Sequence, residues 1–424
     1  MYFLNKNAII EKIFCTEILD SRATPTLKTA VVLKSGAYGE ASVPSGASVG
    51  KFEAVERRDG DMSRFGGRGC LAARSAVEGE IASALVGRSA LDQQALDLTM
   101  ITLDCTKNKS NLGANAILSV SIAAAKAGAC QLGVPLYRYL GGHLEKKLPV
   151  PMLNIINGGA HADNGIDIQE FMIIPKGFDR FSEAFRASAE VYMTLKALLK
   201  KRGLSTAVGD EGGFAPDVST EEALDFIVEA IDKSGYTPGE DIFLALDVAS
   251  SEWYNREKGD YTLPKSGINY TKEALAGYLY GLTEKYPIIS IEDGMAEDDY
   301  QGWKILEETL NKKILLVGDD LFVTNKERIA TGIERGIANA VLLKPNQIGT
   351  LTEVKRAADC AAGAGYKRII SHRSGDTADT AIADIGVALG ARMIKSGAPC
   401  RAERVEKYNR LLEIEREMTE NVPS

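Results

Sequence analysis

Cysteine is sparse and unpatterned. Six residues (Cys15, Cys70, Cys105, Cys130, Cys360, Cys400) lie scattered through 424 positions, with no CxxC pair and no regular spacing. That excludes a disulfide frame or a cysteine zinc site and fits reduced thiols, most of them small core residues. Long hydrophobic runs are also missing. No stretch approaches the roughly 20 apolar residues that span a bilayer, so no membrane span is expected. The N-terminal MYFLNKNAIIEKIF has no basic segment followed by a long apolar one, and the cytoplasm is the expected location. Blocks of Lys and Arg with interleaved aromatics are absent and the formal net charge is −8, so no nucleic-acid partner is predicted. An acidic protein that takes an anionic substrate must hold it with local cations or metal ions.

What is present divides in two. Residues 1–140 read as a small α+β domain: KIFCTEILDSR, TLKTAVVL and YGEASVP form an antiparallel meander broken by the turn signals SRATP and KSG. Helical periodicity follows in LAARSAVEGEIASALVG, ALDQQALDLTMITL and the Ala-rich GANAILSVSIAAAKAGACQLG. GGHLEKKLPVP marks the change of domain. Residues 141–424 then alternate short apolar runs with amphipathic helices, and the runs are too apolar to alternate. Such strands are parallel and covered by helices on both faces, and the length favours a closed α/β barrel over a doubly wound sheet.

The apolar runs end in ionisable groups: Asp210-Glu211 after STAV, Asp247 after FLAL, Glu292-Asp293 after IIS, Asp319-Asp320 after ILLV, Lys344 after AVLL, His372-Arg373 after RII, Lys395 after RMI. One such residue is a solvated strand end, but seven at one register indicate a site, because barrel strands converge at their C-terminal face. Asp247, Glu292 and Asp319 offer only hard oxygen ligands from successive strands, which suits Mg²⁺. Asp320 is expected to support them or to pair with a lysine. Lys344, near a divalent cation and a second lysine, Lys395, is expected to have a depressed pKa suited to a base. Glu211, on a glycine-flanked loop, faces it as the acid. A base and an acid flanking a metal suggest proton removal alpha to a carboxylate followed by elimination. His372, Arg373 and Ser374 in one turn form a phosphate clamp, so the expected partner is a small phosphorylated carboxylic acid.

Beyond these residues, the stretches PSGAS, GANAILSVS, LPVPMLNIINGG, DIQEFMI, GDEGGFAP, SIEDG, VGDDLFVTN, KPNQIGT, SHRSGDT and KYNRLLEIE resemble the enolase family over essentially the whole chain. The resemblance implies reversible dehydration of 2-phosphoglycerate to phosphoenolpyruvate with two Mg²⁺ per site. By motif it makes Asp247, Glu292 and Asp319 ligands of one metal and brings Ser48 toward the second. It makes Lys344 the base at C2. Glu211 helps protonate the leaving hydroxyl with Glu170 beside it, and Lys395 stabilises the enolate. His161 and Gln169 line the pocket, with His372, Arg373 and Ser374 at the phosphate end. It also implies a homodimer, or an octamer built by stacking dimers. Two departures stand out: DSRATPT has Ala23 where the family has a turn glycine, and GASV ends in Val49. Lys28 and Glu413 occupy the positions of an intersubunit pair with both signs reversed. Alternative readings are a paralogue acting on a related phosphorylated or phosphonate acid, and a non-catalytic scaffold or surface adhesin that keeps the fold.

Overall fold

A computed structural model of the chain describes residues 7–46, 50–142, 147–310 and 313–419. Ser48 and Val49 lie outside the described residues. Strands β1 (Ile10–Leu19), β2 (Pro25–Leu33) and β3 (Tyr38–Ser42) form the expected antiparallel meander. The helix Ala114–Leu132 lies on β2 and β3, buried along nearly its whole length. Small residues let the two backbones approach: a Cβ on Gly39 of β3 would stand 2.2 Å from the Ala127 nitrogen and 2.3 Å from the Ala123 carbonyl. The turn between β1 and β2 places Ala23 at φ +56, a left-handed conformation that glycine adopts more readily. Asp20 Oδ1 holds this turn by accepting from the Arg22 and Thr24 amides at 2.9 and 2.8 Å.

The rest of the chain closes a barrel. Its strands are β4 (Val150–Asn157), β5 (Glu170–Ile174), β6 (Phe243–Asp247), β10 (Ile288–Glu292), β11 (Leu315–Gly318), β12 (Ala340–Leu343), β13 (Lys367–Ser371) and β14 (Met393–Lys395). Between β6 and β10 a small antiparallel sheet intervenes, built from β7 (Tyr254–Asn255), β8 (Asp260–Thr262) and β9 (Asn269–Tyr270). Met152, Met172, Ile174, Val317, Leu342, Ile369 and Met393 fill the barrel, while the other strand faces pack on the surrounding helices. With both faces buried, the strands have no reason to alternate.

Two expectations about the strands are corrected. STAV forms no barrel strand: Val208 makes only an isolated bridge to Phe214, and Glu211 sits in a loop. Its barrel place belongs to β4, masked in the sequence by Pro149 just before it and Pro151 within it. Nor are all strands parallel. β5 runs antiparallel to both β4 and β6, because no crossover helix separates it from β4.

The first domain reaches the barrel mouth through main-chain and ionic contacts. Ser45 and Gly375 exchange hydrogen bonds of 2.9 and 3.1 Å, and the Ala54 amide donates to the Gln347 carbonyl at 2.8 Å. Lys109 pairs with Glu353 at 2.9 Å and Lys126 with Asp379 at 2.8 Å. Among the described residues no helix is long and apolar enough to cross a membrane.

Candidate active site

Six strand ends deliver the predicted groups to one face: Asp247 closes β6, Glu292 β10 and Lys395 β14, while Asp319, Lys344 and His372 follow β11, β12 and β13. Glu170 joins them from the start of β5. Because that strand is reversed, its first residue pairs in register with Asp247, the last of β6. A cavity of about 530 Å³ at this mouth is lined by His161, Gln169, Glu170, Glu211, Asp247, Asp319, Lys344, His372, Arg373, Ser374 and Lys395. Glu292 is buried and reaches the group through Lys395. Of the predicted site residues, only Ser48 falls outside the described chain. Glu53 and Lys51 close the cavity from the first domain.

The lysines are tightly paired. Lys395 Nζ lies 2.9 Å from Asp247 Oδ2, 2.9 Å from Glu292 Oε1 and 3.1 Å from Glu170 Oε2. Burial disfavours its charge, but Asp247, Glu170 and Glu292 together hold its pKa well above the ordinary lysine value. Lys344 Nζ pairs with Asp319 Oδ2, whose other oxygen accepts from Gln347 Nε2 at 2.9 Å. Burial pushes the Lys344 amine down, yet Asp319 outweighs it and the pKa is raised, whereas the expected depression is that of the lysine beside a bound cation.

The two glutamates differ. Burial, then the charge of Glu211, drives Glu170 well above the usual carboxylate range. Burial would raise Glu211 too, but the His372 and His161 rings outweigh it and hold Glu211 well below that range. Glu211 Oε2 accepts from Asn154 Nδ2 at 3.1 Å and stands 3.5 Å from His372 Nε2. His372 itself is pushed down to about 4, chiefly by burial, so near neutral pH it acts on Glu211 as an N–H dipole rather than a full charge. His161 Nδ1 lies 3.6 Å from Glu170 Oε1 and has no hydrogen-bond partner among the described residues.

Arg373, also buried, is gripped from both domains: Nη1 and Nη2 meet Glu53 of the first domain at 2.8 and 3.1 Å, and Nη1 meets Asn346 Oδ1 of the barrel at 3.2 Å. Glu53, Asn154, Asn346 and Gln347 were not singled out in the sequence. Only their place inside matched stretches, or beside one for Glu53, could have signalled them.

The donor set fits divalent cations. Glu170, Glu211, Asp247, Glu292, Asp293, Asp319 and Asp320 crowd around two lysines, and burial with mutual repulsion raises Glu292 and Asp293 well above the usual range. Asp320 is raised to about 7, by burial first and then by Asp319. Ligand oxygens of Asp293, Asp319 and Asp320 lie within 4.8 Å of one another. The predicted trio is instead divided, Asp247 and Glu292 on Lys395 and Asp319 on Lys344. Asp293 was not expected as a supporting group. Its carboxylate accepts from the Asp319 and Asp320 amides at 3.0 and 2.9 Å, fixing that turn. Asp320 pairs with no lysine among the described residues.

Two family models match the chain. The enolase N-terminal domain covers residues 10–140 and the enolase C-terminal TIM barrel domain covers residues 145–423. With both matches spanning the meander and the barrel whose mouth holds this cavity, the chain belongs to the enolase family.

Proposed function

We propose that the chain is a hydro-lyase that interconverts 2-phospho-D-glycerate and phosphoenolpyruvate with Mg²⁺. The observation that carries this is the joining, in one cavity, of two strand-end lysines on surplus carboxylates, the adjacent carboxylates of Glu170 and Glu211, and the Arg373–Ser374 turn. Asp247, Glu292 and Asp319 would hold Mg²⁺, which when bound supplies positive charge for the extra negative charge of the carboxylate that loses its alpha proton.

The chain's own groups perform the proton work. Arg373 and Ser374 hold the phosphate and orient C2 toward Lys344. Lys344 takes the C2 proton as the neutral amine, a form available once Asp319 no longer binds its charge. The C2 electron pair then forms the C2=C3 bond and the C3 hydroxyl departs with a proton as water. That proton comes from the Glu211–Glu170 pair, whose carboxylates stand side by side at the cavity. Lys395 keeps its charge and stabilises the developing enolate.

The test follows the ultraviolet absorbance of the enol double bond from 2-phosphoglycerate, with and without Mg²⁺, in wild type and Lys344→Ala. Mg²⁺-dependent turnover lost by at least about 10³-fold in the variant is expected, the range for removing a general base with its positioning. No turnover by the folded, Mg²⁺-loaded wild type would reject the substrate assignment.

A further inference from the structure

The last helix, Ala402–Thr419, sends a fully buried arginine into the wall of the cavity. Arg404 Nη1 lies 2.7 Å from His372 Nδ1 and 2.6 Å from the Arg373 carbonyl oxygen. Its Nη2 lies 2.6 Å from the Ser374 carbonyl and 3.1 Å from the Asp210 carbonyl. A guanidinium carries only donors and does not lose its proton in a protein. The ring nitrogen facing it must therefore be the acceptor, since a hydrogen on Nδ1 would set N–H against N–H at 2.7 Å. A neutral imidazole with Nδ1 as acceptor carries its hydrogen on Nε2, and that atom points toward Glu211.

We propose that Arg404 is a positioning residue that locks His372 as the neutral Nε2–H tautomer, so that the ring meets Glu211 and the substrate as a donor and never as a base. The tautomer follows from the contacts alone; its catalytic consequence rests on the dehydratase reading above. Three charged groups face the ring: Glu211 from its loop, Asp376 from the turn that follows, and Arg404 from the last helix. Burial chiefly, then the guanidinium, outweighs the pull of the two carboxylates and keeps the ring neutral near pH 7. One side chain thus fixes the proton position on His372, the backbone of the phosphate-clamp turn and the start of the Glu211 loop. A lysine could donate to Nδ1 but could not span three carbonyls, because it lacks the planar fork.

The chain holds three histidines, so the full-length protein labelled with ¹⁵N-histidine gives three pairs of ring nitrogens, with His372→Gln assigning the relevant pair. In wild type, with and without Mg²⁺, an unprotonated Nδ1 and a protonated Nε2 are expected from about pH 5.5 to 8. The Nε2–H form should exceed the other by about tenfold or more, the ratio set by one buried hydrogen bond to a charged donor. An Nδ1–H form, an even mixture or an imidazolium near pH 7 would overturn the proposal. Arg404→Gln introduces a carbonyl able to accept from Nδ1–H, whereas Arg404→Lys keeps a donor. The Gln variant should show mixed tautomers, a kcat lowered about tenfold with a smaller change in KM, and an added ionisation in its pH profile. The Lys variant should recover the tautomer and much of kcat. A merely structural cross-link would destabilise both variants yet leave tautomer and profile as in wild type, and that result also overturns the proposal. If neither variant folds, the wild-type spectrum decides. A correct tautomer with no turnover of 2-phosphoglycerate would reject the dehydratase reading and leave the tautomer assignment standing.

Discussion

Replacing Lys395 by methionine removes the one ammonium that Asp247, Glu292 and Glu170 share, at 2.9, 2.9 and 3.1 Å, while keeping a long flexible side chain. Deleting one partner of a buried ion pair costs about 3–5 kcal/mol. With three buried carboxylates on a single ammonium, a loss near the upper figure is expected when divalent cations are chelated. At roughly 2–4 °C per kcal/mol for a large domain, the melting temperature should fall by about 10–20 °C. The deficit should depend on pH. Glu170 and Glu292 already have raised pKa values, from burial first and then from neighbouring carboxylates. A raised carboxyl contributes stability that is full below its unfolded pKa and is lost as pH rises through its folded pKa. Loss of Lys395 raises both groups further, so the deficit should be small near pH 5 and greatest above pH 7. Mg²⁺ should recover more of the variant's loss than it adds to wild type, because it supplies the missing charge. Thermal unfolding of both proteins in chelator and in Mg²⁺, across that pH range, is the assay. A drop equivalent to less than about 1 kcal/mol, or one indifferent to both pH and Mg²⁺, would refute this account of the cavity's charge balance.

Asp320, raised to about 7, should make the metal-free protein lose stability as pH rises from about 4 through 7. At 1.36 kcal/mol per unit the loss is up to about 4 kcal/mol, and Asp320→Asn should flatten it in urea titrations; an unchanged slope would reject the assignment. Ala23→Gly should stabilise by about 1 kcal/mol, since φ is +56 there; a denaturant midpoint that does not rise would show the turn unstrained. If Lys28 and Glu413 pair between subunits, the double cycle of Lys28→Glu and Glu413→Lys should show coupling of about 0.5–1 kcal/mol in dimer dissociation. Each must first release a partner within its own chain, Glu40 at 2.6 Å and Arg410 at 3.0 Å, and zero coupling would end the idea.

The sequence by itself determined the two-part architecture, the barrel, and the face on which the ionisable groups gather, because charges that end apolar runs can only emerge where strands end. Asp247, Glu292, Asp319, Lys344 and Lys395 were all legible in this way. Strand direction was not, since an apolar run reads alike both ways; only closure of β5 between β4 and β6 turned Glu170 toward the mouth. Glu211 was legible as a loop residue but its partners were not, because its contact with Asn154 and His372 joins positions far apart in the chain. Lys344 was legible as a strand-end lysine, but its pairing with Asp319, which raises its pKa, depends on distances that no spacing encodes. Arg404 lies in RAERVEKYNR, which looks like a solvated helix face. Tertiary packing alone buried its guanidinium against His372, and burial turns a surface charge into a constraint on where a proton sits.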